Sequence, residues 1–396
     1  MDYTKVISKK AQSIEPSGIR KFFDIAADME DCVSLGIGEP DFITAASFSD
    51  AGIASIKEGK TQYTSNDGLF ALRKNICRYV HMLGGPLYAP EDETLVTVGA
   101  SEAIDVTFRA LLDPGDEVLI PAPSYVSYAP CVELCHAIPK PINCKAENEF
   151  KLTAKELEEA ITDKTKVLVL PYPNNPTGAI MEREYLEAIA PIIIKHNIIV
   201  VSDEVYGELT YGNTTHVSIA NIDGMRERTV LISGFSKIFA MTGWRIGYLC
   251  APKELVEVIR KIHQYVIMCA PTASQYAATA ALDLSFKNGF QEVEDMCRQY
   301  NERRVYLVKR LNEMGLDCFE PKGAFYAFPS VAKTGMTGEE FAEKLLLSHK
   351  VAVVPGNAFG ESGKYHVRIS YAYSLDKIKV ALDRIEAFIK ELNIKK

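Results

Sequence analysis

The sequence predicts an α/β protein in two domains: a larger one with a mostly parallel central sheet flanked by helices, and a smaller α/β one. Three observations carry this. The chain has 396 residues, too many for one ordinary hydrophobic core. Short runs of branched apolar residues recur and alternate with stretches of helical period, the pattern of strands buried between helices. Several of those runs end in turns of glycine, proline or small polar residues, where open α/β sheets place their ligands.

Taken in order, residues 1–31 are polar, and Pro16-Ser17-Gly18 leads into a predicted helix over Ile19–Ala27. An exposed turn, Gln62–Gly68, precedes a helix from Leu69 to Met82. Strands are expected at Thr94–Val98, Glu117–Ile120, Lys166–Leu170, Ile198–Val201, Thr229–Ile232 and Ile246–Cys250. Helices are expected from Gly99 to Leu112, then at Arg183–Lys195, Pro252–Met268 and Ala273–Phe286, and a long one at Gln291–Met314 leads out of the larger domain. The residues between Tyr125 and Lys166 read as a polar linker. The remainder alternates a strand at Ala324–Phe328, a helix at Gly338–Ser348, strands at Val351–Val354 and Tyr365–Ser370, and a terminal helix at Leu375–Leu392. The expected division is a larger domain over 45–290 and a smaller one formed by both chain ends, 1–44 and 291–396.

Composition narrows the function. The chain is 47% hydrophobic and 24% charged with a formal net charge of -8, and it holds no dense Lys/Arg cluster, which argues against a nucleic-acid surface. No apolar run approaches the roughly 20 residues of a membrane span, and the first residues lack the apolar core of a secretory signal. A cytoplasmic protein is expected. Nine scattered cysteines do not form a disulfide framework. Cys131 and Cys135 share a helical spacing, but no second pair completes a zinc set, so reduced buried thiols and no metal are expected.

Six stretches carry chemistry. Ser233–Gly247, SGFSKIFAMTGWRIG, holds Lys237 and Arg245 among small and apolar residues after a buried strand. A partly desolvated lysine releases its proton and attacks carbonyls, and an arginine fork suits phosphate; a surface lysine with a buried stem is the alternative. Gly36-Ile37-Gly38 permits close backbone approach to a ligand or simply a tight turn. Gly99-Ala100-Ser101-Glu102 opens a helix after a strand, a ready anion site. Pro171–Gly178, with three prolines and a glycine, fixes a rigid loop around Asn175. Asp203 ends a central strand with Tyr206 three residues on; it is either a ligand group or a helix cap. Arg368, inside the apolar strand Val367–Ser370, needs an anionic partner, either a salt bridge or a substrate.

These stretches, in this order and spacing, resemble the class I and II aminotransferases of the pyridoxal-phosphate fold type I that includes aspartate aminotransferase, over nearly the whole chain. Gly234 stands three before Lys237 and Arg245 eight after, as in that family's cofactor-attachment signature. The resemblance implies pyridoxal 5'-phosphate held as a Schiff base on Lys237, with Asp203 on the ring nitrogen and Tyr206 and Asn175 on the ring oxygen. Tyr125 would stack on the ring, where aspartate-specific members carry tryptophan. Ala100, Ser101, Glu102, Ser236 and Arg245 would hold the phosphate, with Tyr63 reaching in from the neighbouring subunit of a homodimer with shared active sites. Arg368, Asn175 and the backbone of Gly38 would bind the substrate carboxylate. His196, His216, His263 and His349 are expected to be solvated or structural, without partners.

The implied reaction is transamination between an L-amino acid, aspartate or aromatic first, and a 2-oxo acid such as 2-oxoglutarate, with Lys237 as general base and the smaller domain closing to exclude water. A carbon–sulfur lyase of the same fold is the nearest alternative, followed by an aminotransferase of broader specificity. A binding protein that has lost catalysis would have no use for Lys237.

Overall fold

Branched apolar residues facing both ways, as in Val167-Leu168-Val169-Leu170, build strands that are buried on both sides. The computed structural model describes residues 1–16 and 29–394; the helix expected at Ile19–Ala27 lies outside them. Its strands are β1 (Val33–Ser34), β2 (Thr94–Thr97), β3 (Glu117–Ala122), β4 (Ile138–Asn143), β5 (Thr165–Leu170), β6 (Ile199–Asp203), β7 (Thr229–Gly234), β8 (Gly247–Cys250), β9 (Tyr326–Ala327), β10 (Val351–Ala352), β11 (Val354–Pro355) and β12 (Val367–Ser370). Seven of them form the main sheet in the order β2-β8-β7-β6-β5-β3-β4. The pairs from β7 to β4 are parallel, and β8 runs antiparallel to both its neighbours.

The two-residue period sorts the core. Val118, Val167, Val169, Val201, Val230 and Leu249 share one cluster with the Gly99–Leu111 and Lys253–Val266 helices. Leu119, Leu168, Leu170 and Val200 face the other side, against the Arg183–Lys195 helix. The helices at Ala46–Lys57, Phe70–Met82 and Thr272–Asn288 pack together beyond β2 and β8.

The expected strands of the main sheet form within a residue or two of their bounds. Residues 126–164, read as a linker, instead hold two helices, Tyr128–Leu134 and Ala154–Ala160, and the edge strand β4. The strand expected at Val351–Val354 divides. Its first half, β10, pairs in parallel with β1, Val33 opposite Val351, and its second, β11, joins β12 and β9 in an antiparallel sheet. The chain's beginning is therefore hydrogen-bonded to its last quarter. The long Gln291–Glu313 helix connects the region of the main sheet to that small sheet.

The strand registers bring the chemistry together. Leu170 lies opposite Ser202, Asp203 opposite Ile232, and Gly234 opposite Gly247. The residues leaving β5, β6 and β7 therefore emerge at one edge, where the helix following β2 begins.

Candidate active site

At that edge lies a cavity of about 560 Å³. Its wall includes Gly38, Ala100, Ser101, Tyr125, Asn175, Asp203, Tyr206, Ser236, Lys237, Arg245 and Arg368, all nominated from sequence. Two nominated groups stand apart. Tyr63 is 76% exposed and does not line the cavity. The Glu102 carboxylate turns away, accepting from the Val98 N–H at 2.5 Å and facing His263 Nδ1 at 2.6 Å.

Lys237 follows β7 by three residues and reaches back so that its Nζ donates to the Gly38 carbonyl at 2.6 Å. The rings of Tyr206 and Phe325 lie 5.8 and 5.7 Å from it. Burial pushes its amine down to about 8; Glu39 opposes this, and the Arg368 and Arg245 charges add to it. About a tenth of the amine is then neutral and nucleophilic at pH 7, against well under a thousandth for an ordinary lysine.

Asp203 is the last residue of β6 and is 7% exposed. Its Oδ2 accepts from Tyr128 Oη at 2.6 Å and its Oδ1 from the Val205 N–H at 3.3 Å, so it caps no helix. Burial pushes the carboxyl up, against those hydrogen bonds. Among the described residues no cation pairs with it. Tyr206 Oη lies 3.0 Å from Tyr326 Oη, which brings two hydroxyls to one side of the cavity.

Arg368 forms no salt bridge among the described residues, which leaves it open to an anionic ligand. It is 4% exposed, and among the described residues no carboxylate reaches it. Nη1 donates to Asn175 Oδ1 at 2.9 Å and Nη2 to the Gly36 carbonyl, while Nε is buried without a partner. The rings of Tyr326 and Phe359 sandwich it at 4.6 and 4.9 Å. A buried cation held only by neutral acceptors is completed by an anion. The Asn175 loop is fixed from within: Asn174 Oδ1 accepts from the Thr177 N–H and hydroxyl at 3.1 and 2.9 Å.

The helix turn at Gly99 forms a second cationic corner. Arg245, at φ 51°, donates to the Thr242 carbonyl at 3.0 Å and lies against Gly99, where an added Cβ would be 2.7 Å from its Nη2. Gly247 admits the turn from below: a Cβ there would stand 2.5 Å from Gly99 C and 2.6 Å from Ala100 N. Gly38 likewise needs to be glycine, because a Cβ would lie 2.4 Å from Tyr326 Oη.

Sequence reasoning missed Tyr128, Tyr326 and Glu39, which all line the cavity. The four histidines expected to be without partners each meet an acidic residue, which suits the structural role expected of them. His216 Nε2 is 2.8 Å from Glu204 Oε2, fully buried His263 meets Glu102, and His196 and His349 lie 3.5 and 3.4 Å from Glu158 and Glu391. All nine cysteines are free, and no metal-ligating group of three forms among the described residues. No helix among them is long and apolar enough to cross a membrane.

An amine of lowered basicity, two separate arginine corners and a buried carboxylate in one cavity fit a cofactor with a carbonyl, a phosphate and a basic ring nitrogen, with room for a carboxylate substrate. Pyridoxal 5'-phosphate has those groups, and fold and site together define a pyridoxal-phosphate enzyme of fold type I. Comparison with known proteins narrows this. A model of the family "Aminotransferase class I and II" matches residues 30–385. The chain is 50% identical to the YugH protein of Bacillus subtilis (strain 168), covering 98% of this chain and 99% of that one. It is 45% identical to an aspartate aminotransferase of Pyrococcus abyssi, covering 97% and 98%. Among solved structures, an aromatic aminotransferase from Pyrococcus horikoshii OT3 superposes with a TM-score of 0.89 at 42% identity, covering 94% and 99%. The chain belongs to the class I and II aminotransferases and is a pyridoxal-phosphate-dependent aminotransferase.

Proposed function

We propose that the chain transfers the amino group of an L-amino acid, aspartate or aromatic first, to a 2-oxo acid such as 2-oxoglutarate. The observation that carries the amino-acid half is Arg368, a buried guanidinium with a free Nε and no carboxylate partner among the described residues. The donor preference follows relatives named for aspartate and for aromatic amino acids.

Bound pyridoxal phosphate supplies an aldehyde carbon that joins to amines and a ring that draws electrons from the substrate Cα. The chain's residues supply the rest. Asp203, fixed by Tyr128, would sit against the ring nitrogen; Tyr206 and Asn175 would donate to the ring oxygen, and Tyr125 would lie against the ring. Ala100, Ser101, Glu102, Ser236 and Arg245 would hold the phosphate, Ala100 and Ser101 through helix-turn N–H groups. Arg368 and Asn175 would orient the α-carboxylate, with the Gly38 backbone beside it. Lys237 Nζ would take up the substrate Cα proton as general base. Division into units of 45–290 and 1–44 with 291–396 belongs to this proposal: pairing of β1 with β10 supports it, and relative movement of the units would exclude water. We further assign a cytoplasmic homodimer, in which exposed Tyr63 reaches the partner's phosphate site.

The test is an absorbance spectrum of purified protein before and after adding single amino acids without any oxo acid. A visible cofactor band should convert to an ultraviolet one, fastest with aspartate or an aromatic donor. A band that persists while ammonia and pyruvate accumulate would mark a lyase instead, and conversion only by other donors would overturn the substrate assignment.

A further inference from the structure

Glu102 sets an electrostatic problem at the proposed phosphate turn. It is the fourth residue of the Gly99–Leu111 helix, directly after the three whose N–H groups lack an intrahelical partner. Its carboxylate folds back over the same turn to accept from the Val98 N–H. A carboxylate is favourable at a helix N-terminus, but it repels a phosphate drawn to the same donors.

His263 faces that carboxylate. It is fully buried on the Lys253–Val266 helix, which packs across the Gly99–Leu111 helix. Its Nδ1 lies 2.6 Å from Glu102 Oε1 and its Nε2 3.0 Å from the Asn66 carbonyl oxygen. A carbonyl oxygen only accepts, so Nε2 carries a proton. Two lone pairs cannot face each other at 2.6 Å, so one proton lies between Nδ1 and Oε1, and the Glu102–His263 pair as a whole carries no net charge. Asn66 in turn donates from Nδ2 to the Met268 carbonyl at 2.8 Å and stands three residues after Tyr63.

We infer that His263 is a positioning residue for the cofactor phosphate: by sharing a proton with Glu102 it leaves no net charge beside the Gly99–Glu102 turn, and it ties that turn to the loop carrying Tyr63. This rests on the turn being the phosphate site. No group between the two helices other than His263 is placed to do so among the described residues. Asp67, next to Asn66, is paired with Arg260 from the same Lys253–Val266 helix.

The experiment is titration calorimetry of the full-length protein with two probes, pyridoxamine 5'-phosphate and inorganic phosphate; unphosphorylated pyridoxamine is the control. His263→Gln keeps a donor but removes the group that shares a proton with Glu102, leaving that carboxylate uncompensated, so the dissociation constants of both phosphate probes should rise roughly tenfold while that of pyridoxamine holds. The double variant Glu102→Gln with His263→Gln replaces the whole pair by neutral amides and should bind the phosphate probes within about threefold of wild type. A purely structural histidine would make the double variant no better than the single, and that result overturns the inference, as does wild-type affinity in His263→Gln. If His263→Gln does not fold, the double variant carries the test, and a loss of about tenfold or more in it overturns the inference. Wild-type protein that binds neither phosphate probe would instead overturn the phosphate site itself.

Discussion

At the scale of single residues, the site depends on charges that burial leaves without complete partners. Lys237→Ala should lower kcat by at least roughly 10³-fold, measured by coupled assay of oxo-acid production, with the circular-dichroism spectrum unchanged. The lowered basicity of Lys237 also has a stability signature. Between about 8 and the ordinary lysine range, the unfolded chain holds a proton that the folded chain has released. Stability of the cofactor-free protein attributable to this group therefore rises with pH across that window, and below it the fold carries the cost of a desolvated charge. Cofactor-free Lys237→Met should be more stable than cofactor-free wild type by about 2 kcal/mol at pH 7, and the gap should narrow by pH 10. Urea unfolding at both values checks this, and an equal gap at each would mean that burial is not what lowers the amine. Arg368 acts through geometry as well as charge. Arg368→Lys keeps the charge but loses the fork, so kcat/KM for the amino acid should drop at least roughly tenfold while the cofactor stays bound.

At the scale of elements, the proposed phosphate corner depends on two backbones meeting where β8 starts and the Gly99–Leu111 helix begins. Gly247→Ala places a methyl group within 2.6 Å of Gly99 C and Ala100 N, both backbone atoms that cannot rotate away. The helix must shift, and a loss of about 1–3 kcal/mol by thermal unfolding, together with weaker cofactor retention on gel filtration, is expected. Unaltered retention would show that the turn does not grip the phosphate. This corner was legible in the sequence because its signals are local: a branched run, then small residues, then a helix. The same holds for the proline-fixed Asn175 loop and for Asp203 at a strand end. What was not legible lacks a local signal. β4 carries Pro139 and Pro141 and mostly exposed residues, which an edge strand paired on one side tolerates but a buried-strand pattern does not describe. The Ala46–Lys57 helix buries Phe48, Gly52 and Ser55, too small a set to draw an apolar stripe. Tyr128 meets Asp203 across 75 residues and Tyr326 meets Tyr206 across 120, so neither contact has any spacing to read. His263 lies 161 residues from Glu102 and looked partnerless for the same reason.

At the scale of the whole molecule, the site that Tyr63 serves decides how many chains make one working unit. Its ring is 76% exposed, on a turn pinned from below by the Thr272 hydroxyl donating to the Gln62 carbonyl at 2.9 Å and by Asn66 holding Met268. Nearby, Tyr265 is 85% exposed and Val266 54%, so the rigid turn stands in an uncovered apolar surface. A shared-site dimer predicts complementation. Lys237→Ala lacks the amine but retains Tyr63; Tyr63→Ala retains the amine but should load cofactor weakly. When the two are unfolded together and refolded in equal amounts, half of the dimers are mixed, and each mixed dimer contains one site with both residues and one with neither. At cofactor concentrations too low to load Tyr63→Ala alone, the mixture should recover about a quarter of wild-type activity, whereas either variant by itself stays near zero. If Tyr63 served its own subunit, no mixed dimer could contain a complete site except by carrying an intact chain, and none is present. Activity no greater than the average of the two variants would therefore place Tyr63 outside a shared site.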